Sequence, residues 1–450
     1  MGSIGTGHPG HESPQRILRS TSPLRGEDRI IAHNPAGGSA KGAGVSFVDL
    51  GDSVRLAVML VPQRGGSFLE QTLEIVATLR QTLSMQRTPM TVTMQTVFLR
   101  SEADRPECER IFREQLGREV PLTNFVIQPP CGGEALSLEV WAIGGESVRF
   151  ERFGPHCLAI SYDSVRWVYC AGVSPSTSSG GVHDQTMEML LRCRKILNSA
   201  GSDMPQVVRT WFYLGGITEL EGDYQRYHEL NRARTDFYHN LNFNCSLLDP
   251  NAPRGVYPAS TGIGTRGHAL GMSCLALQTK RDDVFLLPLE NPQQTPAYAY
   301  HPRYSPKSPK FSRAMALVLG NYVTTWISGT ASIVNSESIY FGDATKQTEQ
   351  AIDNIEKLIA APNFELHGVK GAGATLRDLA KLRVYVKRPE DYAQCKAVCE
   401  NRFGSIPILY AFADVCRPEL LVEIEGIAFS RYEGMNVPHV SHHGERQNPK

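Results

Sequence analysis

The segment LVEIEGIA, residues 421–428, decides the fold, because it closes the last of three similar stretches of the chain. In a β-strand, residues i and i+2 point to the same face. We therefore expect Val422 and Ile424 to face a core, and Glu423 and Glu425 to share the opposite face. Two interpretations of that acidic face are open. It is either the solvated side of an antiparallel strand, or it holds a carboxylate in a cleft as an acid or base.

The same order of patterns occurs three times along the chain. Each copy has an apolar strand, an amphipathic helix, a strand with Tyr or Phe, a helix and a closing strand. The quoted copies comprise residues 54–61, 68–83, 90–100 and 137–143; then 165–173, 183–201, 207–214 and 273–279; then 323–334, 344–361, 378–388 and 421–428. Helical spacing is seen in Ile352, Ile355 and Ile359. Because internal repetition outranks single motifs, the sequence predicts an α+β protein of three β-α-β-α-β modules arranged as a pseudo-trimer.

The repeat divides the chain into modules and flanking segments. We expect a disordered arm over residues 1–44, which are rich in Gly, Ser, Pro and His, and a flexible tail over 432–450. The modules are predicted at 45–150, 151–320 and 321–431.

Two inserts interrupt the repeat. One is YPASTGIGTRGH (257–268), and the other is the Pro- and Tyr-rich segment NPQQTPAYAYHPRYSPKSPKFSRA (291–314). A long insert within a compact domain is usually a linker or a functional loop, and both segments are predicted to be of that kind.

Composition excludes several classes of function. The 46 basic and 46 acidic residues balance, so no basic excess indicates nucleic acid or an anionic membrane as a partner. The longest apolar runs, such as 56–61, are too short to span a bilayer. The ten cysteines contain no C-x-x-C pair, so neither a metal site nor a disulfide framework is predicted. Scattered thiols are typical of the cytoplasm.

The third module resembles the YjgF-like reactive-intermediate deaminases, the Rid family. LRVYVKRPEDY (382–392) and VEIEGIA (422–428) carry the resemblance. It implies a chorismate-mutase-like α+β fold, which in that family is generally trimeric with sites between subunits. Where its imine deaminases have an arginine, this chain has Tyr410, and this argues against imine deamination.

A narrower resemblance, over about residues 150–430, is to the chorismatases, which convert chorismate and release pyruvate. The segments that carry it are RTWFYLGGI (209–217), YHELNRAR (227–234), YPASTGIGT (257–265), the Pro/Tyr-rich insert, WISGTASIV (326–334) and ADVCRPELLVEIEG (413–426). The first module carries little of this match.

The resemblance places substrate contacts at Tyr227, Arg234, Tyr300 and Arg313. Arginine suits the two carboxylates of chorismate, because its planar fork pairs with a carboxylate through two hydrogen bonds. Tyr227 and Arg234 are seven residues apart and share a helical face. Without the resemblance, this pair also suits a solvated helix face, and Tyr300 suits ordinary packing.

Glu423 is the predicted acid. Cleavage of the enolpyruvyl ether begins with protonation of its methylene carbon, which gives an oxocarbenium ion for water or a neighbouring hydroxyl to trap. A carboxylic acid donates at neutral pH only if burial or a like charge raises its pKa. Glu425 supplies such a like charge, and a purely structural hydrogen-bonding role remains its alternative.

Gly329 and Cys416 complete the predicted site. Gly329 allows substrate or backbone to approach closely, or simply marks a strand bulge. Cys416 is either a site residue or a small buried hydrophobe. In the chorismatases, small residues at such positions separate hydrolysis from intramolecular capture, and Gly with Cys resembles the type that forms 3-hydroxybenzoate.

The sequence therefore predicts a chorismatase that releases pyruvate and forms 3-hydroxybenzoate, or otherwise a dihydroxycyclohexadienoate. The alternatives are a Rid-type deaminase or hydrolase of small imines and a non-catalytic ligand-binding member of the fold. No cofactor is expected, since protonation and water attack require none. The chain is predicted to act as a monomer or weak oligomer.

Overall fold

The first of three six-stranded sheets occupies the N-terminal part of the chain. The structure is a computed structural model that describes residues 30–35, 37–117, 120–176, 179–244, 247–248 and 256–434. The strands are β1 (Ile31–His33), β2 (Ala43–Asp49), β3 (Val54–Leu60), β4 (Thr91–Leu99), β5 (Leu122–Val126) and β6 (Leu136–Gly144), in the order β1-β2-β3-β6-β4-β5. Helices α1 (Phe68–Ser84) and α2 (Arg105–Leu116) cover one face. Ser67 and Glu70 form a capping box that begins α1.

The second sheet follows the same plan. Its strands are β7 (Arg149–Arg152), β8 (Cys157–Tyr162), β9 (Val165–Val173), β10 (Val207–Gly215), β13 (Ala259–Thr265) and β14 (Leu270–Thr279), in the order β7-β8-β9-β14-β10-β13. Between β10 and β13 lie two short paired strands, β11 (Leu220–Glu221) and β12 (Tyr224–Gln225). The helices are α3 (Val182–Ser199) and α4 (Arg226–Tyr238).

The third sheet repeats the plan again. Its strands are β15 (Val284–Leu289), β16 (Ala314–Leu319), β17 (Tyr322–Ala331), β20 (Leu379–Val386), β21 (Ile408–Phe412) and β22 (Val422–Arg431), in the order β15-β16-β17-β22-β20-β21. The short strands β18 (Ile333–Val334) and β19 (Glu337–Ser338) pair with each other. The helices are α5 (Ala344–Ile359), α6 (Ala361–Leu366) and α7 (Tyr392–Phe403).

The three sheets share register as well as order. In each, only the last pair of strands is parallel, namely β4 with β5, β10 with β13, and β20 with β21. Each sheet also has a register shift in one antiparallel pair. These pairs are β4 with β6, β10 with β14, and β20 with β22. The shifts fall between Val92 and Met94, between Val207 and Arg209, and between Leu379 and Lys381. The expectation of a mixed α+β fold is confirmed.

The two faces of each sheet pack differently. Helices cover the outer face, as where Ile75 and Phe112 pack on the first sheet and Ile355 on the third. The inner faces meet in one shared cluster that includes Met94, Trp167 and Trp326, one residue from each sheet. Because three inner faces converge, side chains from distant parts of the sequence meet at the junctions between sheets.

Several predicted boundaries are wrong. Strands β15 and β16 fall within residues 151–320, the predicted second module, yet they pair with β17, because Ala316 lies opposite Thr325. The segment 257–268, predicted as a linker or functional loop, contains strand β13. Its residues 259–265 pair in parallel with β10 despite three intervening helix and strand segments.

Both predicted flanking segments overlap the described fold. The predicted arm, residues 1–44, lies outside the described residues as far as residue 29, but its part at 31–33 forms β1, and both Ile30 and Ile31 are buried. The predicted tail lies outside the described residues from 435 onwards. Tyr432 donates its backbone N–H to Asn321 at 2.8 Å, so the ordered chain extends past β22.

Candidate active site between the second and third sheets

A cavity at the junction of the second and third sheets brings together all seven site residues that the sequence predicted. Helix α4, strands β13, β17 and β22, and the Pro/Tyr-rich insert supply its wall. The predicted residues on that wall are Tyr227, Arg234, Tyr300, Arg313, Gly329, Cys416 and Glu423. The insert is therefore part of the site, and not a linker.

Glu423 lies in β22 and is 4% exposed. Burial and the nearby charge of Glu425 raise its pKa to about 8, although the guanidiniums of Arg209 and Arg313 act in the opposite direction. The interpretation of this face as a solvated acidic strand is thus wrong. The carboxyl group holds a proton at neutral pH, and such a group can act as a general acid.

Glu425, two residues further along β22, has the opposite electrostatic state. Its burial opposes ionisation, but Arg383 and Arg209, with hydrogen bonds from Thr261 and Tyr385, lower its pKa to about 2. Arg383 Nη1 donates to Oε1 at 3.0 Å, and Arg209 Nη2 donates to Oε2 at 2.5 Å. Two carboxylates on one face thus have opposite protonation at neutral pH, a pattern that separates an acid from a fixed anion.

The partners of Glu425 come from the second and third sheets, and Arg383 connects this network to the first sheet. Tyr385 O–H donates at 2.8 Å and Trp211 Nε1–H at 2.9 Å. Arg383 also donates to Glu139 and, at 3.0 Å, to Thr96 Oγ1 in the first sheet. The alternative of a structural hydrogen-bonding role describes these contacts, because removing one partner of a buried ion network leaves the others unpaired.

Gly329 lies at a register shift of β17 against β22, so the alternative of a strand bulge describes its backbone. The close approach at this position is made by the predicted acid, because a Cβ atom here would lie 2.0 Å from Oε1 of Glu423. The Gly329 N–H donates to Thr261 Oγ1 at 3.0 Å, and Thr261 in turn donates to Glu425 at 2.5 Å. The bulge therefore connects the surroundings of both carboxylates.

Arg234 and Arg313 are both buried, at 1% and 4% exposure. Arg234 donates to Asn231 Oδ1 at 2.6 Å, and Arg313 donates to the Tyr300 hydroxyl at 2.5 Å. Within the described parts of the chain, neither guanidinium forms a salt bridge to a carboxylate, and the Nε of each is a buried donor with no hydrogen-bond partner. A solvated helix face is therefore excluded for Arg234. These two cations are arranged to receive anionic groups of a ligand.

Tyr227 and Cys416 also line the cavity. Burial, followed by the neighbouring charge of Glu423, raises the pKa of the Cys416 thiol to about 12, so it remains a neutral thiol. Burial likewise raises the pKa of Tyr227. Gly262 of β13 allows the Tyr227 ring to approach, because a Cβ atom at this glycine would lie 3.1 Å from ring atom Cε2.

Tyr410 lies in β21 of the third sheet and does not line this cavity. Its ring packs edge-on against Tyr392, with centroids 5.6 Å apart. A packed tyrosine offers no charge to a substrate carboxylate, in contrast to the arginine expected there in an imine deaminase.

Sequence reasoning missed several residues of the site. Arg209 and Thr261 lie in the segments RTWFYLGGI and YPASTGIGT, which were recognised without roles for these two residues. Glu290 also lies near Arg313, and burial raises its pKa to about 7 while that guanidinium opposes the shift. No local pattern distinguishes these residues, because their partners are distant in sequence.

Two features bear on cofactors and metals. The string GIGTRG (262–267) has the spacing of a dinucleotide-binding loop, which requires a strand, a tight turn and a helix. Here β13 is followed by strand β14, so the string forms a sheet edge. Three buried thiols also lie together, those of Cys170, Cys193 and Cys274. They sit in the apolar core under α3, where free cysteines pack as small hydrophobes.

No helix in the described part of the chain has the length and apolar character needed to cross a membrane.

Comparison with known families gives two matches. Residues 139–276 match the family described as chorismatase FkbO/Hyg5-like, N-terminal, and residues 306–430 match the family described as endoribonuclease L-PSP. The first match covers most of the second sheet, and the second covers the third sheet except β15.

Individual relatives agree with the family matches. A 3-hydroxybenzoate synthase of Streptomyces hygroscopicus is 33% identical over 297 residues, covering 64% of this chain and 80% of the relative. A chorismatase of the same organism is 32% identical over 261 residues, covering 58% of this chain and 71% of the relative. A chorismatase crystal structure superimposes with a TM-score of 0.59 at 25% identity, covering 75% of this chain and 93% of that one. On fold, family matches and relatives together, this chain belongs to the chorismatase family.

Proposed function

We propose that this protein cleaves the enolpyruvyl ether of chorismate and releases pyruvate, with Glu423 as the acid. The observation that carries the proposal is a buried carboxyl group with a pKa of about 8. Two guanidiniums line the same cavity and form no salt bridge to a carboxylate among the described residues. Two relatives named chorismatase or 3-hydroxybenzoate synthase support the choice of substrate.

Chorismate carries two carboxylates, and the cavity offers two buried cations for them. Arg234 on α4 and Arg313, which precedes β16, line the same cavity as Glu423. Each charge-assisted pair positions the substrate. Because these arginines hold the substrate carboxylates, the acid remains free to donate its proton to the enolpyruvyl methylene carbon.

Protonation at that carbon gives an oxocarbenium ion. If water adds to it, the resulting hemiketal collapses to pyruvate and a dihydroxycyclohexadienoate. If the neighbouring hydroxyl of the substrate instead bonds to the ring carbon that carries the ether, the bond from that carbon to the ether oxygen breaks and pyruvate leaves. Loss of the hydroxyl proton, followed by ring opening of the bridged oxygen and aromatisation, gives 3-hydroxybenzoate with no net uptake of water. The pair Gly329 and Cys416 supports the second outcome, since both line the cavity and together resemble the pair of the chorismatases that form 3-hydroxybenzoate.

The three similar sheets support a pseudo-trimeric arrangement in which one junction between sheets is an active site. Glu423 lies opposite Tyr385 in the strand pairing. The equivalent pairs are Ser137 opposite Phe98 and Gly271 opposite Tyr213. Neither equivalent residue is an acid, so a single active site per chain is proposed. Light scattering should give a monomer or weak dimer, and an obligate trimer of this chain would contradict the arrangement.

Incubation of the purified protein with chorismate, followed by mass spectrometry of the products, tests the function directly. Equimolar pyruvate and 3-hydroxybenzoate are expected. Unchanged chorismate that nonetheless binds would identify a ligand-binding protein. Ammonia release from 2-aminoacrylate, with chorismate untouched, would identify an imine deaminase.

The cytoplasm is the proposed place of action. Nine cysteines in the described part of the chain are free thiols, and free thiols persist in a reducing compartment.

A further inference from the structure

A second cavity lies where the inner faces of all three sheets converge. It has a volume of about 240 Å³, and all four tryptophans of the chain line it: Trp141, Trp167, Trp211 and Trp326. Trp167 and Trp326 meet edge to face, with centroids 5.4 Å apart. This cavity shares no lining residue with the cavity around Glu423. It is therefore a separate compartment with flat aromatic walls.

Both cationic and acidic side chains line this tryptophan cavity. The cations are Arg55, Arg281, Lys381 and Arg383, and the acids are Asp52, Asp163 and Glu425. Behind the cavity wall, Arg209 pairs with Glu425, and Glu139 pairs with Lys381 and Arg383. At the mouth, Arg281 is already balanced by Asp163 and Asp283. Among the described residues, Arg55 is thus the lining arginine that forms no salt bridge to a carboxylate.

Arg55 is the cation with spare hydrogen-bonding capacity. Its guanidinium carbon lies 5.1 Å from the centre of the Tyr162 ring, and its Nη2 donates to the Tyr162 hydroxyl at a short distance. Its Nε is buried and has no hydrogen-bond partner among the described residues. A buried donor without a partner is unfavourable, so an acceptor supplied by a ligand would stabilise the site.

We propose that the tryptophan cavity binds a small planar aromatic monocarboxylate, with its ring between the indoles and its carboxylate on Arg55. Aromatic faces favour flat ring partners, and a guanidinium pairs best with a carboxylate. The size is suitable, because a cavity of about 150 Å³ already accommodates benzene. Hydroxybenzoates belong to this ligand class, but the assignment comes from the cavity and does not depend on the proposed reaction.

Titration of the purified full chain with benzoate tests the site. Benzoate is not a product of the proposed reaction, so failure of the chorismate assay leaves this test intact. Isothermal calorimetry should give one saturable site, with quenching of tryptophan fluorescence. Arg55→Gln should weaken benzoate binding about tenfold or more, the loss expected for one charge-assisted pair. Arg55→Lys should weaken it less.

Two further variants make each outcome decisive. Arg313→Ala alters the Glu423 cavity and should leave benzoate binding within about twofold of wild type. Leu317→Phe narrows the tryptophan cavity without touching a charge, and should reduce binding even if Arg55→Gln folds poorly. No saturable binding at millimolar benzoate overturns the proposal. Binding that Arg313→Ala abolishes and Arg55→Gln spares assigns benzoate to the active site, and likewise overturns it.

Discussion

A Cβ atom added to Gly329 would lie 2.0 Å from Oε1 of Glu423. The bulge of β17 thus opens space that the carboxyl group of β22 occupies. Because Gly329 has no side chain, the carboxyl group of Glu423 can occupy this position beside the substrate space. This relationship makes the glycine a positioning residue for Glu423.

Gly329→Ala should lower kcat by at least about tenfold, because the new methyl group displaces the acid from its reacting geometry. KM should change less than kcat, since Arg234 and Arg313 remain in place. Gly271→Ala is the matched control, because its Cβ would meet only the carbonyl oxygen of Val173 at 3.7 Å. Steady-state kinetics on both variants make the comparison, and equal loss in both would deny Gly329 this role.

Glu423→Gln should reduce kcat by about 10²–10⁴-fold, the usual contribution of a positioned acid. Chorismate binding should persist, since the amide is similar in size and neutral. Glu146→Gln, at an exposed acid in the turn between β6 and β7, serves as control. Single-turnover kinetics with a binding titration separate the steps. A Glu423→Gln protein with wild-type kcat would remove this residue from the chemistry.

The pH profile should follow the protonation of Glu423. Its pKa in the folded chain is about 8, so kcat/KM for chorismate should be steady near neutrality. Above about pH 8 it should fall roughly tenfold per pH unit, because only the protonated acid donates. Initial rates measured between about pH 6 and 10, at constant ionic strength, test this fall of kcat/KM at alkaline pH. If kcat/KM does not fall up to about pH 10, the proton donor is a different group.

Glu425→Gln should destabilise the fold by about 3–5 kcal/mol, because it leaves Arg209 and Arg383 buried without their anion. The pKa of Glu425 is lowered to about 2 from its ordinary 4.5. Its contribution to stability is therefore complete above about 4.5 and is lost as the pH falls towards 2. Urea unfolding of wild type and variant at pH 7 and pH 3 measures both effects. The difference between the two proteins should shrink at the lower pH.

The same substitution should shift the activity profile to lower pH. The charge of Glu425 raises the pKa of Glu423, so its removal lowers that pKa and moves the alkaline limb downward. If the alkaline fall in activity of folded Glu425→Gln instead moves to higher pH, the electrostatic coupling of the two carboxyl groups is contradicted.

Arg313→Ala and Arg234→Ala should each cost about 2–4 kcal/mol in kcat/KM, mostly through KM, since each removes one charge-assisted pair to a substrate carboxylate. Arg110→Ala is the control, because that exposed side chain on α2 pairs with Glu114 and lines neither cavity. Normal turnover of chorismate by both cavity variants would locate the carboxylate contacts elsewhere.

The local elements of this fold follow from periodicity alone. Strand β9 at 165–173 coincides with its predicted bounds, and α5 at 344–359 ends two residues before its predicted end. Such elements are set by the apolar spacing within each segment. The seven site residues were likewise indicated by segments that resemble a known family, and the structure places them around one cavity.

Strand pairing between distant segments could not be predicted from the sequence. β13 looked like a loop because its glycines suppress strand propensity, yet β10 provides a complete hydrogen-bonding partner for it. β15 and β16 were assigned to the second module because they precede β17 in the chain, whereas strand pairing joins all three.

The sequence by itself determined that Glu423 and Glu425 share one face of a strand, because a strand repeats every two residues. Only the tertiary structure decided that one is a neutral acid and the other a fixed anion. Arg383 and Arg209 donate to Glu425, and Gly329 admits Glu423 into the cavity. These partners lie tens to hundreds of residues away in the chain, and pKa values depend on distance in space and on burial.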